Sequence, residues 1–283
     1  MDWFMILISV VILWVASLCK ILHTSCSPSK AVFLENGEPG HQKNILLVIA
    51  HPDDESMFFS PTVAYLTSRG HNLHILCTST GNADGMGDIR KEELYEACAI
   101  FKVPLSQVKV IDHPDLQARQ TVSSINLFLS NFSIAHFHHT TDGFGQTWDH
   151  NLLAKIIKEE VTTHSIDSII TFDNYGVSGH CNHCDVHHGT RKFLHQSSGG
   201  NVEAWELIST NLIRKYCGPV DIWLSTLSAL QSPRGQMHCL LNEHPRRSYH
   251  AMAQHRSQWV WFRKLFVSFS SYTYVNTLRK INY

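Results

Sequence analysis

The sequence predicts an α/β fold: a mostly parallel, Rossmann-like sheet with helices on both faces, preceded by a single N-terminal transmembrane helix. Three observations carry that prediction. An apolar, β-branched run, Ile45 to Ala50, ends in the polar cluster His51-Pro52-Asp53-Asp54-Glu55; strand-like and helix-like segments take turns from there to Phe172; and an uncharged apolar run, Trp3 to Cys19, stands ahead of both.

With Ile21 and Leu22 beyond Lys20, the first run approaches the ~20 residues that cross a bilayer as a helix. A signal peptide would open on basic residues and close on a small-residue cleavage site, whereas here Asp2 stands in front and tryptophans flank the run. A membrane anchor is therefore expected over 1–23, followed by a Ser-, Pro- and Gly-bearing linker over 24–42 and one domain over 43–283. Lys20 and Lys30, behind the run, put that domain on the cytosolic side by the positive-inside rule. The one sequon, at Asn131, is then expected to stay bare.

Within the domain, "ILLVIA" suits a strand buried on both faces, and "ESMFFSPTVAYLTSRG" follows with helical spacing and a stop at Gly70. A second strand, "LHILCTS", leads to the helix "DIRKEELYEACAIF" and a third strand, "QVKVID". The helix "HNLLAKIIKEEV" and the strand "SIITF" complete the alternation. Strands separated by helices form parallel sheets, whose ligands sit outside the carboxyl ends of the strands. Between the third strand and the next helix, Ala118 to Thr141 is strongly apolar but keeps no clean period; it is read as an insertion that the chemistry does not need. Near the C-terminus, "PVDIWLSTLSAL" reads as a core helix in preference to a segment dipping into a membrane interface. "QWVWFRKLF" mixes aromatic and basic residues as an interfacial helix does.

Composition removes some functions. The net charge is −1 and no basic block stands out, which argues against a nucleic-acid partner. Eight scattered cysteines in a chain of 283 residues read as free thiols in a reducing compartment. Cys181 and Cys184 form a CxxC without the second pair that a zinc ribbon needs. Histidine is abundant at 20 residues, which invites a metal reading without establishing one. His136, His138 and His139 read as incidental, and His187, His188 and His195 as helix-surface residues.

The cluster at the end of the first strand has the right chemistry for a catalytic zinc, which takes imidazole nitrogen and carboxylate oxygen and leaves a position for water. His51 and Asp54 are candidates for two ligands, and Asp53 for the neighbouring base that takes a proton from water. The competing use for both aspartates is to cap the following helix. A third ligand is sought in "FDNYGVSGHCNHCDVHHG", after the strand "SIITF", where His180 and His183 lie three apart and face one way on a helical turn.

"AHPDDE" after a first strand, with a glycine-bearing loop and "GHxxH" after a later one, resembles the LmbE-like zinc deacetylases. "LLVIAHPDDESMFFSPTV", "TFDNYGVSGHCNH" and "HRSQWVWFRKLF" resemble more closely the N-acetylglucosaminylphosphatidylinositol de-N-acetylases of GPI-anchor biosynthesis. The resemblance implies that His51, Asp54 and His183 hold Zn2+ or another divalent metal, with Asp53 as general base. It implies that His180 stabilises the oxyanion and protonates the leaving amine, and that Arg90 and Asp115 bind sugar or inositol hydroxyls. The implied reaction converts the glycolipid GlcNAc-phosphatidylinositol to GlcN-phosphatidylinositol and acetate, the second step of the pathway, at the endoplasmic reticulum membrane. Two alternatives stay open: an LmbE-like deacetylase of another N-acetylated sugar, and a non-catalytic membrane-tethered variant in view of the insertion.

Overall fold

Five parallel strands build the centre of one seven-stranded sheet: β1 (Asn44–Ile49), β2 (Asn72–Cys77), β3 (Val108–Val110), β4 (Ser168–Phe172) and β5 (Glu203–Leu207). Their order is β3-β2-β1-β4-β5, so the winding reverses between β1 and β4. At such a switch point the loops leaving two neighbouring strands diverge and open a crevice. An antiparallel pair, β7 (Val275–Lys280) and β6 (Met237–Leu241), extends the sheet beyond β5. The computed structural model describes residues 2–23, 33–34, 42–116, 147–197, 202–233 and 235–282. The expected insertion at 118–141 and the sequon at Asn131 lie outside the described residues.

Alternate residues of β1 serve two cores, as a pleated strand covered on both faces requires. Ile45, Leu47 and Ile49 meet Val63 and Leu66 of α3 (Ser60–Ser68) and Leu94 and Ala97 of α4 (Gly87–Ile100). Leu46 and Val48 meet Leu153 and Ile157 of α5 (His150–Thr163) and Val186 and Phe193 of α7 (Cys181–Gln196). The single helix expected after β1 is two, α2 (Asp54–Met57) and α3, because Pro61 has no N–H to continue a helix and sits instead in the first turn of a new one.

The first helix, α1 (Asp2–His23), is long and apolar enough to cross a membrane, and its first half is exposed. Of the expected linker only Phe33, Leu34 and Gln42 are described; Phe33 is fully buried against Trp205 and His238 of the sheet. The remaining helices are α6 (Gly176–Gly179), α8 (Leu212–Lys215), α9 (Asp221–Gln231), α10 (Pro245–Gln254), which packs on α4 and α2, and α11 (Trp261–Phe269). The core reading of α9 holds for one face, where Ile222 is buried with Tyr274 and Val275 and Asp221 and Ser225 are buried beside it; Trp223, Leu224, Leu227 and Leu230 face outward. The described cysteines are free thiols.

Candidate active site

The loop after β1 is built to hold Asp54. Its Oδ2 accepts from the backbone N–H groups of Ala50 (3.0 Å) and His51 (2.9 Å), leaving Oδ1 to face His183 Nε2 at 3.2 Å. Burial opposes the charge on Asp54, but His183 and His51 outweigh it and keep the carboxyl well below the usual range. His183 sits in the first turn of α7, which follows β4 by way of α6 (Gly176–Gly179). Its Nδ1 faces the Gly176 carbonyl at 3.0 Å, and its ring lies flat on Phe172, centroids 4.0 Å apart. Glycine is required at 176: the backbone is left-handed, φ 53°, and an added Cβ would stand 2.8 Å from His183 Cβ.

With Nδ1 donating to Gly176, the His183 Nε2 lone pair points at an ionised carboxylate oxygen, and such a pair needs a proton or a cation between its members. His51 adds an imidazole whose pKa burial pushes well below its ordinary value, so it is neutral and able to act as a ligand. The amide of Asn182 lies 3.0 Å from its Nε2. One nitrogen each from His51, His180 and His183 falls within 4.8 Å of the others. Two imidazoles beside a carboxylate, with a third ring in reach, fit the donor set of a divalent metal.

Asp53 stands next to this group. Burial raises its carboxyl pKa, against the pull of Arg263 and Arg90. Arg263 Nη1 forms a close ion pair with Asp53 Oδ2, and Arg90 Nη2 lies 3.6 Å from the same oxygen. All four residues expected to work together, His51, Asp54, His183 and Asp53, are thus brought to one place with His180, at the floor of a cavity of about 580 Å³. Neither residue expected to contact the sugar is among those that line this cavity. Arg90 is 2% exposed and lies behind Asp53, donating to the carbonyls of Gly81 (3.0 Å) and Pro52 (2.9 Å), so it positions the loop. Asp115 is exposed beside His113 and does not line the cavity.

The cavity wall was not foreseen as such. Phe262, Arg263, Phe266 and Phe269 of α11 form much of it, together with Met57 and Phe58, whose ring meets Phe266 edge-on. A lone arginine in an aromatic segment is the signal that was available in the sequence, but it reads equally well as a surface cation. Only the fold brings Arg263 to Asp53, 210 residues away.

The family model described as PIG-L, GlcNAc-PI de-N-acetylase, matches residues 46–194. The N-acetylglucosaminyl-phosphatidylinositol de-N-acetylase of Bos taurus is 34% identical, over 86% of this chain and 85% of its own length. A probable enzyme of the same name from Schizosaccharomyces pombe is 35% identical, over 84% and 87%. Among solved structures, the N,N'-diacetylchitobiose deacetylase of Pyrococcus horikoshii superposes with a TM-score of 0.56 at 11% identity, over 94% of this chain and 92% of its own. The 4-carboxy-2-hydroxymuconate hydratase GalB reaches 0.53 at 13% identity, over 86% and 97%. A deacetylase and a hydratase on one backbone show that the fold is shared while the reaction is not fixed by it.

Proposed function

The chain belongs to the GlcNAc-PI de-N-acetylase family, and from that membership we propose that it hydrolyses the N-acetyl group of GlcNAc-phosphatidylinositol, the second step of GPI-anchor biosynthesis. The supporting observation is the convergence of His51, Asp53, Asp54, His180 and His183 at the floor of a cavity with an apolar wall. His51, Asp54 and His183 are the residues assigned to hold a zinc ion, which when bound supplies polarisation of the acetyl carbonyl and acidification of a water. Asp53 takes the proton of the attacking water, a task that suits a carboxyl whose pKa burial has raised. Arg263 and Arg90 fix its orientation. His180 donates a hydrogen bond to the oxygen that becomes negative and passes a proton to the departing nitrogen. The acyl C–N bond breaks, the carbonyl carbon gains the water oxygen, and acetate and a free amine leave.

In this reading α1 anchors the chain in the endoplasmic reticulum membrane with the domain on the cytosolic face, as Lys20 and Lys30 indicate. The test is acetate release from GlcNAc-phosphatidylinositol by the detergent-solubilised chain, after chelation and after Zn2+ is returned. Activity lost and regained is the expected result. Full turnover without metal would remove the metal from the reaction, and acetate released only from soluble N-acetyl sugars would move the enzyme to another substrate.

A further inference from the structure

Four helices leave large apolar side chains uncovered on one part of the surface: α1, α8, α9 and α11. Patches of this kind on an otherwise well-buried domain mark a binding surface. They meet around Gly218, where an added Cβ would stand 3.1 Å from Trp14 Nε1 of α1 and 3.4 Å from the Phe269 carbonyl of α11. Tyr216, at the end of α8, packs its ring on Phe266 of α11. The patch is therefore continuous with α1, the segment able to cross a membrane.

We propose that α8, α9 and α11 dip into the leaflet through which α1 passes, and that the active-site cavity opens onto that leaflet. The proposal rests on the reading of α1 as a membrane anchor. Depth supports it. Among the described residues, α1 meets the domain over its last turns, from Trp14 to Ile21, about 10 Å of helix by the ordinary rise. If the α1 run spans the hydrocarbon, the surrounding surface is submerged by that amount, which matches the 5–10 Å to which interfacial helices sink.

The chemistry of the patch also fits a lipid surface in preference to a protein partner. Trp223, half-exposed on α9, donates its indole N–H to Ser17 of α1 and carries the Lys20 ammonium 3.7 Å from its ring. A tryptophan paired with a lysine near the end of an apolar span belongs at headgroup level. Outward from it, Leu224 and Leu227 of α9 and Ile213 of α8, 83% exposed, form the apolar face. Tyr216, Leu265 and Phe269 belong to both features: they line the cavity and are about half-exposed. The mouth is thus rimmed by the side chains that enter the leaflet. A glycolipid can present its headgroup to the cavity while its acyl chains stay among their neighbours, without the cost of withdrawing them into water.

The test uses the full chain in vesicles of phosphatidylcholine with a diazirine on one acyl chain, irradiated and mapped by peptide mass spectrometry. Adducts on 212–216, 223–230 and 261–269 as well as on α1, with none on α5, are expected. Adducts confined to α1 would overturn the proposal, as would chain-to-chain cross-links through α9 and α11, which would put a second copy there. In the double variant Ile213→Asp, Leu227→Asp, both on exposed positions outside the cavity, adducts on α9 and α11 should fall on the order of tenfold. Its KM for GlcNAc-phosphatidylinositol in vesicles should rise while turnover of a short-chain, water-soluble analogue stays unchanged. Unchanged adducts in the variant would refute the docking face. Wild-type inactivity on both substrates would strike the proposed reaction instead, with the adduct map still deciding the docking surface.

Discussion

Asp53 holds a backbone conformation, φ 127° and ψ −19°, that a residue with a Cβ adopts at a cost of about 1–3 kcal/mol. Its neighbours enforce it. The Asp53 N–H donates to Glu55 Oε2 at 3.2 Å, its carbonyl accepts from the N–H groups of Ser56 and Met57, and Arg90 grips the carbonyl of Pro52 just before it. A loop strained and over-determined in this way aims a side chain, and here it aims Asp53 beside the His51–Asp54–His183 group. Removing the basic oxygen without changing the shape separates the two roles. Asp53→Asn is expected to retain zinc, as read by metal analysis, and to lose about 10² to 10⁴ in kcat by general-base precedent. His183→Ala should instead lose the metal, since it deletes one of three assigned ligands. Stoichiometric zinc in that variant would show that the ligand assignment is wrong, and wild-type kcat in Asp53→Asn would take Asp53 out of the proton transfer.

At the scale of elements, the segment from α10 to α11 is clamped to α2 and to α4. His255 Nε2 meets Glu55 Oε1 at 2.7 Å with both side chains fully buried, and Glu93 accepts from the N–H and Oγ of Ser257. Burial disfavours the charged His255, but Glu55 outweighs it, and the imidazole pKa is raised. The folded chain then holds that proton more tightly than the unfolded one. The stability contributed is complete below the unfolded value of about 6.5 and is lost as pH rises through the raised value. His255→Gln should accordingly cost about 3–5 kcal/mol at the acid end, with the gap to wild type narrowing as pH rises. Thermal unfolding in detergent across that range measures it; a gap that widens with pH would show the opposite linkage. None of this clamp was legible in the sequence, because its pairs are as distant as Glu55 and His255, 200 residues apart. What was legible is what each segment specifies alone: β1 and β4 from their aliphatic runs, α4 and α5 from their periodicity, and the polar clusters that end the two strands. The antiparallel β6 and β7 lacked such a signature; β6 is only partly buried, and its residues are specified by what β7 and α9 place against them. The place of Arg90 behind Asp53 was not legible, since spacing says nothing of whether an arginine faces a cavity or the back of a loop.

For the whole molecule the question is how the domain is held against α1, the helix long and apolar enough to cross a membrane. Residues 24–32 and 35–41 are outside the described part, yet α1 also meets the domain directly: Ile21 is fully buried with Ile222, Tyr274 and Val275, and Ser17 accepts from Trp223. The turn at Gly218–Val220 lies at the centre of that contact and has two geometric demands at once. Gly218 has φ 61°, a left-handed conformation, and the space where a side chain would begin is taken by Trp14 and Phe269. A valine there must strain the backbone by about 1–3 kcal/mol and push α1 or α11 away. Since α11 carries both Arg263 and the rim of the cavity, a displacement at Gly218 should reach substrate capture before it reaches the metal. Gly218→Val is therefore expected to lower the unfolding midpoint by several degrees, on the order of 2–4 °C per kcal/mol for a domain of this size. It should also raise KM for vesicle-borne GlcNAc-phosphatidylinositol while bound zinc stays at the wild-type level. A variant with wild-type midpoint and KM would show that the α1 contact does not seat the domain over its lipid.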